Sequence, residues 1–304
     1  MENNNIELYS YLFFSVDIVD SISFKRNYIN EWCDLFKSFY KDFPNNYLFE
    51  ECKKIKKNRN EEISIEISKP HIWKTIGDEI TFYVDICKSF EEGKKELSDK
   101  TYYDMILYYI TALFYSIKNY NKDAENKINN YEPALKIKGT AWFANVVDGS
   151  YYDGKYGNIR IPLSEVDEKN CNEYDFIGRQ IDIGFRIAKY STLNQLIISV
   201  ELAILLLRDN YLTIEDLSMK ICYSGRNQIK GIFENIGYPI IYIDMMDKLN
   251  HSENKLLNKN DPGINMIDLM RFLEEFIKNT NHLIYYPFIN EKDRLFKRKP
   301  FDKK

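Results

Sequence analysis

The chain has 304 residues, of which 44% are hydrophobic, enough to bury the core of one large domain with an appendage. Its 42 basic and 46 acidic residues are well mixed and give a net charge of −4, which argues against nucleic acid or an acidic membrane as a partner. The five cysteines are widely spaced without a CxxC pair, a pattern typical of free thiols in a reducing compartment.

Two apolar runs, at 8–19 and 196–207, bear on membrane insertion. The first is broken by Ser10, Ser15 and Asp17, and the second is too short to cross a bilayer. Neither a signal peptide nor a membrane span is predicted, and we expect a cytoplasmic protein.

The first elements are a strand and a helix joined by an acidic loop. Residues 6–16 are β-branched and aromatic and end at Asp17, which predicts a strand that delivers acidic groups to its end. Apolar residues at helical spacing predict a helix over 21–43, with Pro44 as its stop. The lysine-rich stretch 53–59 is interpreted as a solvated loop.

A hairpin and a long helix follow. Gly77-Asp78 between two short apolar runs is typical of a tight β-turn, because these residues tolerate positive φ angles. An aromatic helix is predicted at 101–120 and an alternating strand at 135–146. Residues 148–173 are interpreted as an insertion loop that could carry a small hairpin.

The last third predicts a helix at 176–190, a strand near 196–200, a strand pair over 219–245 and one amphipathic helix at 265–280. Helices and antiparallel strands are therefore intermixed along the chain. This order favours an α+β fold with helices over one mixed sheet.

Two acidic residues sit at backbone turns rather than on helix faces. Asp17 ends the first strand and Asp78 occupies the hairpin tip. If these ends converge in the sheet, two carboxylates could surround hard divalent cations, which prefer oxygen ligands and could bind a polyphosphate. The alternative is that Asp17 caps the next helix and Asp78 only makes a turn.

A third segment adds a possible ligand contact. Asp175 precedes a glycine turn, and Asp182 and Arg186 lie four residues apart, so both could address one ligand from the same helix face. The alternative is a surface salt bridge between them.

Taken together, FFSVDIVDS, KTIGDE and DFIGRQIDIGFR resemble, in this order and spacing, the signature segments of class III adenylate and guanylate cyclases. The resemblance covers about residues 8–245. It implies a ferredoxin-like βαββαβ core in a head-to-tail homodimer with both active sites at the interface. We therefore expect a catalytic domain at 1–245, followed at 246–304 by a linker, a C-terminal helix and a basic tail.

The resemblance also implies residue roles. Asp17 and Asp78 match the aspartates that bind two divalent cations, Mn²⁺ or Mg²⁺, with the Ile18 carbonyl as a further ligand. Lys74 and Asp175 match the pair that selects the base.

Two further positions match the family's helix segment, one with a substitution. Arg186 matches the arginine that stabilises charge on the α-phosphate, and Asp182 replaces the asparagine that usually orients the ribose. Asp20 stands where the family usually has a glycine, which adds a negative charge to the phosphate-facing turn.

The string IDIGFR resembles the stand-alone pyrimidine cyclases of bacterial Pycsar anti-phage systems, which make cyclic UMP or cyclic CMP. This favours UTP as substrate and implies a downstream effector that senses the cyclic nucleotide. Phe14, Trp73 or Phe176 could shrink the base pocket, or each could simply belong to the core.

Three alternatives remain open. One is an adenylate or guanylate cyclase in ordinary signalling, because Lys74 and Asp175 resemble the pair that reads adenine. The others are a catalytically inactive nucleotide sensor and an unrelated α+β interaction protein.

Overall fold

The computed structural model describes residues 8–58, 68–86, 99–148, 157–163, 174–207, 220–231, 236–246, 265–280 and 287. The first half contains β1 (Leu8–Ile18), α1 (Ser21–Asn27), α2 (Trp32–Asp42), a π-helical segment (Phe43–Leu48), α3 (Phe49–Asn58), β2 (His71–Ile76), β3 (Glu79–Asp85), α4 (Asp99–Asn129) and β4 (Ile137–Asp148). The second half contains β5 (Asn158–Pro162), β6 (Tyr174–Gly178), α5 (Arg179–Ile187), β7 (Gln195–Ile198), α6 (Val200–Leu207), β8 (Lys220–Asn227), β9 (Tyr238–Asp244) and α7 (Met266–Asn279).

Within these residues the strands form one mixed, mostly antiparallel sheet in the order β2-β3-β1-β4-β7-β9-β8, with β5 and β6 added beside β4. β1 is antiparallel to both β3 and β4, and β2 is antiparallel to β3. Strands β1 to β4, with the helices between them, therefore have the βαββαβ order of a ferredoxin-like fold. The predicted α+β class is confirmed.

Strand β1 divides the core into two layers because successive side chains point to opposite faces of the sheet. Leu12, Phe14, Val16 and Ile18 are buried in the cluster that contains α4. The alternate residues Tyr11 and Phe13 belong to a smaller aromatic cluster on the other face. A helix layer and an aromatic layer thus enclose the middle of the sheet.

The predicted helix at 21–43 is interrupted, and its predicted stop is wrong. Tyr28 to Glu31 separate α1 from α2, and Pro44 lies inside the π-helical segment that continues into α3. Phe39, Phe43 and Leu48 are fully buried along this stretch, so tertiary burial keeps the chain helical through the proline. Residues 53–58 are also helical and not a loop, although Lys53, Lys54 and Lys56 are exposed. Lys53 and Lys54 pair with Glu50 and Glu51 one turn earlier.

The predicted helix at 176–190 starts later than expected, because Tyr174–Gly178 form strand β6 paired with β5. Tyr174 and Phe176 are buried while Asp175 between them is not, which is the period of a strand. The strand β5 lies in the region predicted as an insertion loop.

The C-terminal helix α7 packs on the main core. Leu273 is fully buried in the same cluster as α4 and α6, and the Phe276 ring lies 6.1 Å from that of Tyr238. The division of the chain at 245/246 stays a prediction. Among the described helices, none combines the length and apolarity that a bilayer crossing requires.

Helix α5 crosses the aromatic layer at a glycine. A Cβ atom added at Gly184 would overlap the Trp142 indole, which is fully buried and stacked on Phe13 with ring centroids 5.4 Å apart. Only a residue without a side chain allows the helix backbone to approach this ring.

We expect Gly184→Ala to lower the free energy of unfolding by about 1–2 kcal/mol, because overpacking outweighs the gain of about 1 kcal/mol in helix propensity. Urea unfolding followed by tryptophan fluorescence measures the change. A variant that is more stable than the wild type would show that Trp142 can move aside.

Candidate functional site

The end of β1 meets the tip of the β2–β3 hairpin. The Ile18 N–H donates to the Asp78 carbonyl at 3.3 Å, and the Tyr40 hydroxyl donates to the Gly77 carbonyl. Gly77 adopts φ 65°, a left-handed conformation that suits glycine in this turn. The structure thus brings the ends that carry Asp17 and Asp78 together.

The register of the sheet places Asp17 between two charged neighbours. Asp17 lies opposite Glu79 on β3 and opposite Lys138 on β4, and directly opposed residues share one face of a sheet. Lys138 Nζ lies 3.3 Å from Asp17 Oδ2, and the Ser15 hydroxyl donates to Glu79. Asp17, Asp78 and Glu79 thus form a group of three acids, in which Asp17 pairs with Lys138.

The electrostatics of this group reflect partial burial. Burial raises the pKa of Asp17, the Asp78 charge raises it further, and Lys138 opposes both effects. Burial also raises the pKa of Glu79, against the hydrogen bond from Ser15. The acids are therefore poorly hydrated and repel one another, a state that a bound cation would relieve.

The donors at this site are all oxygens, which fits Mg²⁺ or Mn²⁺ better than a softer metal. No group of three or more His, Cys, Asp or Glu side chains in the described ranges is arranged to hold a metal ion. A cation here would need donors besides Asp17 and Asp78, such as a main-chain carbonyl at Ile18 and phosphate oxygens of a ligand.

The turn after β1 is not the helix cap considered from the sequence. The residue that precedes α1 is Asp20, whose side chain makes no capping hydrogen bond, so Asp17 does not cap this helix. Asp20 has φ 52° and ψ 40°. Aspartate is among the few non-glycine residues that adopt this left-handed conformation with any frequency, so the turn keeps a glycine-like geometry.

A second constellation lies where β2 and β6 approach each other. Lys74 Nζ lies 2.8 Å from Asp175 Oδ1, and both side chains are about one third exposed. Trp73 Nε1 donates to the same oxygen at 3.1 Å, and the Phe176 N–H does so at 2.9 Å. No hydrogen bond to Asp175 Oδ2 is present among the described residues, so this oxygen can accept one from a ligand.

These donors determine the charge state of Asp175. Partial burial acts to raise its pKa, but the hydrogen bond and charge of Lys74, with the other two donors, hold the pKa below the ordinary value. Asp175 is therefore a carboxylate near neutral pH. Lys74 retains two further N–H bonds for a ligand.

Aromatic rings surround this pair, but Phe14 is not among them. Trp73 lies 5.2 Å from Phe176 and 5.6 Å from Phe185, measured between ring centroids. Phe14 is fully buried in the cluster under α4, on the face opposite to Asp17 and Phe13. This corrects the expectation that Phe14 could contact a base: it is a core residue.

Helix α5 presents Asp182 and Arg186 to solvent. The Arg186 guanidinium donates to the Lys230 carbonyl after β8 and makes no ion pair with Asp182. Within the described part of one chain, no hydrogen bond or ion pair joins Arg186 to Asp17 or Asp78. The structure therefore does not gather all predicted site residues in a single copy.

Glu79 and Lys138 were not identified from the sequence as site neighbours. Glu79 follows Asp78 directly in KTIGDE, so its proximity could have been anticipated. Lys138 is 121 positions from Asp17, and only the pairing of β1 with β4 reveals their contact.

Comparisons with known proteins found similarity only among solved structures. No family model matches the chain, and no curated protein matches it. The adenylyl cyclase CyaB from P. aeruginosa is 16% identical, with 80% of this chain and 96% of that chain covered and a TM-score of 0.45.

Two guanylyl cyclases give similar values. Cya2 is 13% identical over 79% of this chain and 92% of its own, with a TM-score of 0.42. The guanylate cyclase domain of RhGC from Catenaria anguillulae, solved with GTP, is 12% identical over 78% and 97%, with a TM-score of 0.45.

Lys74→Met is expected to raise the pKa of Asp175 toward its ordinary value, because it removes a positive charge and one of three hydrogen bonds to Oδ1. A carboxyl-carbon NMR titration measures this pKa. Lys136→Met, which removes a separate ion pair with Glu125 at 2.9 Å, is the control. An unchanged Asp175 pKa in Lys74→Met would contradict the assignment of Lys74 as the residue that lowers this pKa.

Proposed function

We propose that this protein is a nucleotide cyclase, which converts a nucleoside triphosphate into a 3′,5′-cyclic nucleotide and pyrophosphate. The observation that carries the proposal is the meeting of β1 with the hairpin tip, held by the 3.3 Å hydrogen bond from Ile18 to Asp78. It brings together two acids that are distant in sequence. The resemblance of three segments to class III cyclases supports the same activity.

Asp17 and Asp78, with the Ile18 carbonyl, would hold two divalent cations, Mn²⁺ or Mg²⁺. Bound there, such ions lower the pKa of the ribose 3′-hydroxyl and neutralise the triphosphate. Lys138 balances part of the charge of Asp17 in the free protein. Its ammonium group would compete with a cation for this carboxylate, so Lys138 would have to turn away from Asp17 when a divalent ion is bound.

The reaction joins the 3′-oxygen to the α-phosphorus and breaks the bond from that phosphorus to the bridging oxygen of the pyrophosphate. The 3′-hydroxyl proton leaves to solvent. Arg186 would stabilise the charge that develops on the α-phosphate, and Asp182 would accept a hydrogen bond from the ribose. These residues position the substrate and stabilise the transition state, which is most of what phosphoryl transfer requires.

Two copies would complete each site. Arg186 contacts neither Asp17 nor Asp78 within its own chain, yet α5 exposes it to a neighbour. In the proposed head-to-tail homodimer, one copy supplies Asp17 and Asp78, and the other supplies Lys74, Asp175, Asp182 and Arg186. Dimerisation is then required for activity.

Lys74 and Asp175 would read the base through one donor and one acceptor. Lys74 can donate to a carbonyl or ring nitrogen, while Asp175 Oδ2 accepts from the adjacent imide or amino group. All four bases offer such an adjacent pair, so the two residues do not discriminate among them. The size of the pocket has to make the selection.

We favour a pyrimidine, with UTP as substrate and cyclic UMP as product. Trp73 packs against Phe13, Phe176 and Phe185 beside the Lys74–Asp175 pair, and its indole would narrow a base pocket formed there, which favours a single ring over a fused pair. The IDIGFR resemblance supports a role in anti-phage defence, in which an effector responds to the cyclic nucleotide. Cyclic CMP is the alternative product in the same role.

A second candidate is an adenylate cyclase. The Lys74–Asp175 pair could bind any of the four bases, but its resemblance in sequence to the pair that reads adenine supports this candidate, and the structure joins the two side chains at 2.8 Å.

Shared sites predict complementation between inactive variants. Asp17→Ala and Arg186→Ala should each lower turnover at least about 100-fold, because each loses several kcal/mol of transition-state stabilisation. Mixed and allowed to exchange subunits, they should recover roughly a quarter of wild-type activity, since half of the random dimers keep one intact site.

Asp34→Ala is the matched control, because this exposed aspartate on α2 pairs with Lys37 and lies outside the proposed site. Light scattering confirms that every sample is dimeric. Asp17→Ala within about tenfold of wild type would contradict the metal assignment, since a catalytic metal contributes more than that. Dimeric mixtures that stay as inactive as their components would contradict the shared site.

Substrate choice is tested by incubating the protein with each of four labelled triphosphates and Mn²⁺. We expect cyclic UMP as the main product, because Trp73 would leave more room beside Lys74 and Asp175 for a single ring than for a fused pair. Trp73→Ala should raise turnover of purine triphosphates relative to UTP. Cyclic AMP as the main wild-type product would overturn the UTP assignment.

A further inference from the structure

A buried carboxyl lies behind α5, where the proposed mechanism does not use it. Glu201, on the first turn of α6, is 1% exposed. Gln180, the second residue of α5, is 3% exposed, and its Nε2 donates to Glu201 Oε1 at 3.1 Å. This hydrogen bond joins the start of α5 to α6 inside the protein.

Gln180 also makes hydrogen bonds to residues other than Glu201. Its Oε1 accepts from Asn158 Nδ2 at 2.6 Å and from the Asn145 N–H at 3.3 Å. Its own N–H donates to Asn158 Oδ1 at 2.9 Å. The amide of Gln180 therefore cannot turn over without losing these bonds, and its Nε2 stays directed at Glu201.

The chain that enters α5 has little freedom. Gly178 has φ 148°, a conformation that favours glycine, and the Arg179 N–H donates to the Gly157 carbonyl at 3.1 Å. Further along α5, Gly184 lies against the ring of Trp142 on β4. Gln180, Asp182 and Arg186 belong to the same short helix, so a shift of Gln180 would move Asp182 and Arg186 with it.

We propose that Glu201 is a positioning residue, which through Gln180 fixes the start of α5 and so places Asp182 and Arg186. The role assigned to these two residues rests on the proposed cyclase function. The fastening of α5 by Glu201 rests on the hydrogen bonds alone.

The protonation state of Glu201 matters for its hydrogen bond with Gln180, because the Glu201 carboxylate is the acceptor. The groups that face Glu201 are Gln180 from α5, Ser199 before α6 and the Tyr238 hydroxyl from β9; the Glu201 main-chain N–H also donates to it. Burial raises the pKa of Glu201 to about 7, against these hydrogen bonds. Tyr238 stays neutral, because burial raises its pKa well above the ordinary value.

The sign of the pH effect follows from linkage. The folded protein holds a proton on Glu201 at pH values where the unfolded chain has released it. The contribution of Glu201 to the free energy of unfolding should therefore fall as pH rises from the ordinary glutamate pKa to about 7, and then level off. Glu201→Gln should show a smaller fall over this range than the wild type, because an amide does not titrate, while the raised pKa values of Asp17 and Glu79 still contribute.

The test measures hydrogen exchange of the 179–187 peptide in the full-length protein. Glu201→Leu should exchange at least about tenfold faster there than the wild type, because Gln180 loses its buried acceptor. Glu201→Gln should stay close to the wild type, since its carbonyl oxygen can still accept from Gln180. Should Glu201→Leu not fold, Gln180→Ala breaks the same link from α5.

Glu51→Leu is the matched control. Glu51, on α3, is another buried glutamate, 8% exposed. It accepts a hydrogen bond from Asn119 on α4 at 3.0 Å and pairs with Lys54 at 2.6 Å, and within the described residues no hydrogen bond or ion pair joins it to α5. Its loss should leave exchange of 179–187 unchanged. Equal acceleration in Glu51→Leu and Glu201→Leu would overturn the proposal, because the effect would then be general destabilisation.

Activity gives an independent readout. Glu201→Leu should lower kcat about tenfold or more with KM near the wild-type value, because a misplaced Arg186 weakens only the transition state. Unchanged exchange in Glu201→Leu overturns the positioning role whatever the activity. Absence of turnover by the wild type with any triphosphate, beside the expected exchange result, sinks the cyclase proposal and leaves the fastening of α5 standing.

Discussion

The register of β1 between β3 and β4 is the constraint on which the rest of this structure depends. Side chains alternate along a strand, so a slip by one residue would exchange the helix-covered face with the aromatic face. In the observed register, rows of paired residues run from aromatic, through hydroxyl, to charged. Phe13, Ser15 and Asp17 mark these three rows on β1. The aromatic row provides burial that the charged row cannot.

The charged row illustrates a conflict between stability and function. Three acids, with Lys138 as a partial counterion, lie at one end of the sheet, and burial raises the pKa of two of them. Such a group destabilises a folded protein at neutral pH, since the unfolded chain hydrates each carboxylate fully. The aromatic and helix layers stabilise the sheet enough to keep the group in place, and a bound cation would remove the repulsion.

Helix α5 connects the protein interior to the proposed catalytic groups. Its inner side touches Trp142 at Gly184 and the buried amides at Gln180, whereas its outer side displays Asp182 and Arg186. The inner contacts hold the helix itself, and on the outer side Arg186 adds a hydrogen bond to the Lys230 carbonyl. This division explains why a carboxyl as remote as Glu201 can matter for groups that face solvent.

The sequence by itself determined the α+β class, the hairpin at Gly77-Asp78 and the candidate acids, because alternation and turn residues are local signals. It did not determine that Pro44 lies within a helical stretch, that Tyr174–Gly178 form a strand, or that Phe14 faces the core. These outcomes depend on burial against residues far away in the chain. Only the tertiary structure decided the partners: Lys138 with Asp17, Trp73 with Asp175, and Glu201 with Gln180. Such pairs are set by strand register and helix packing, which no single segment encodes.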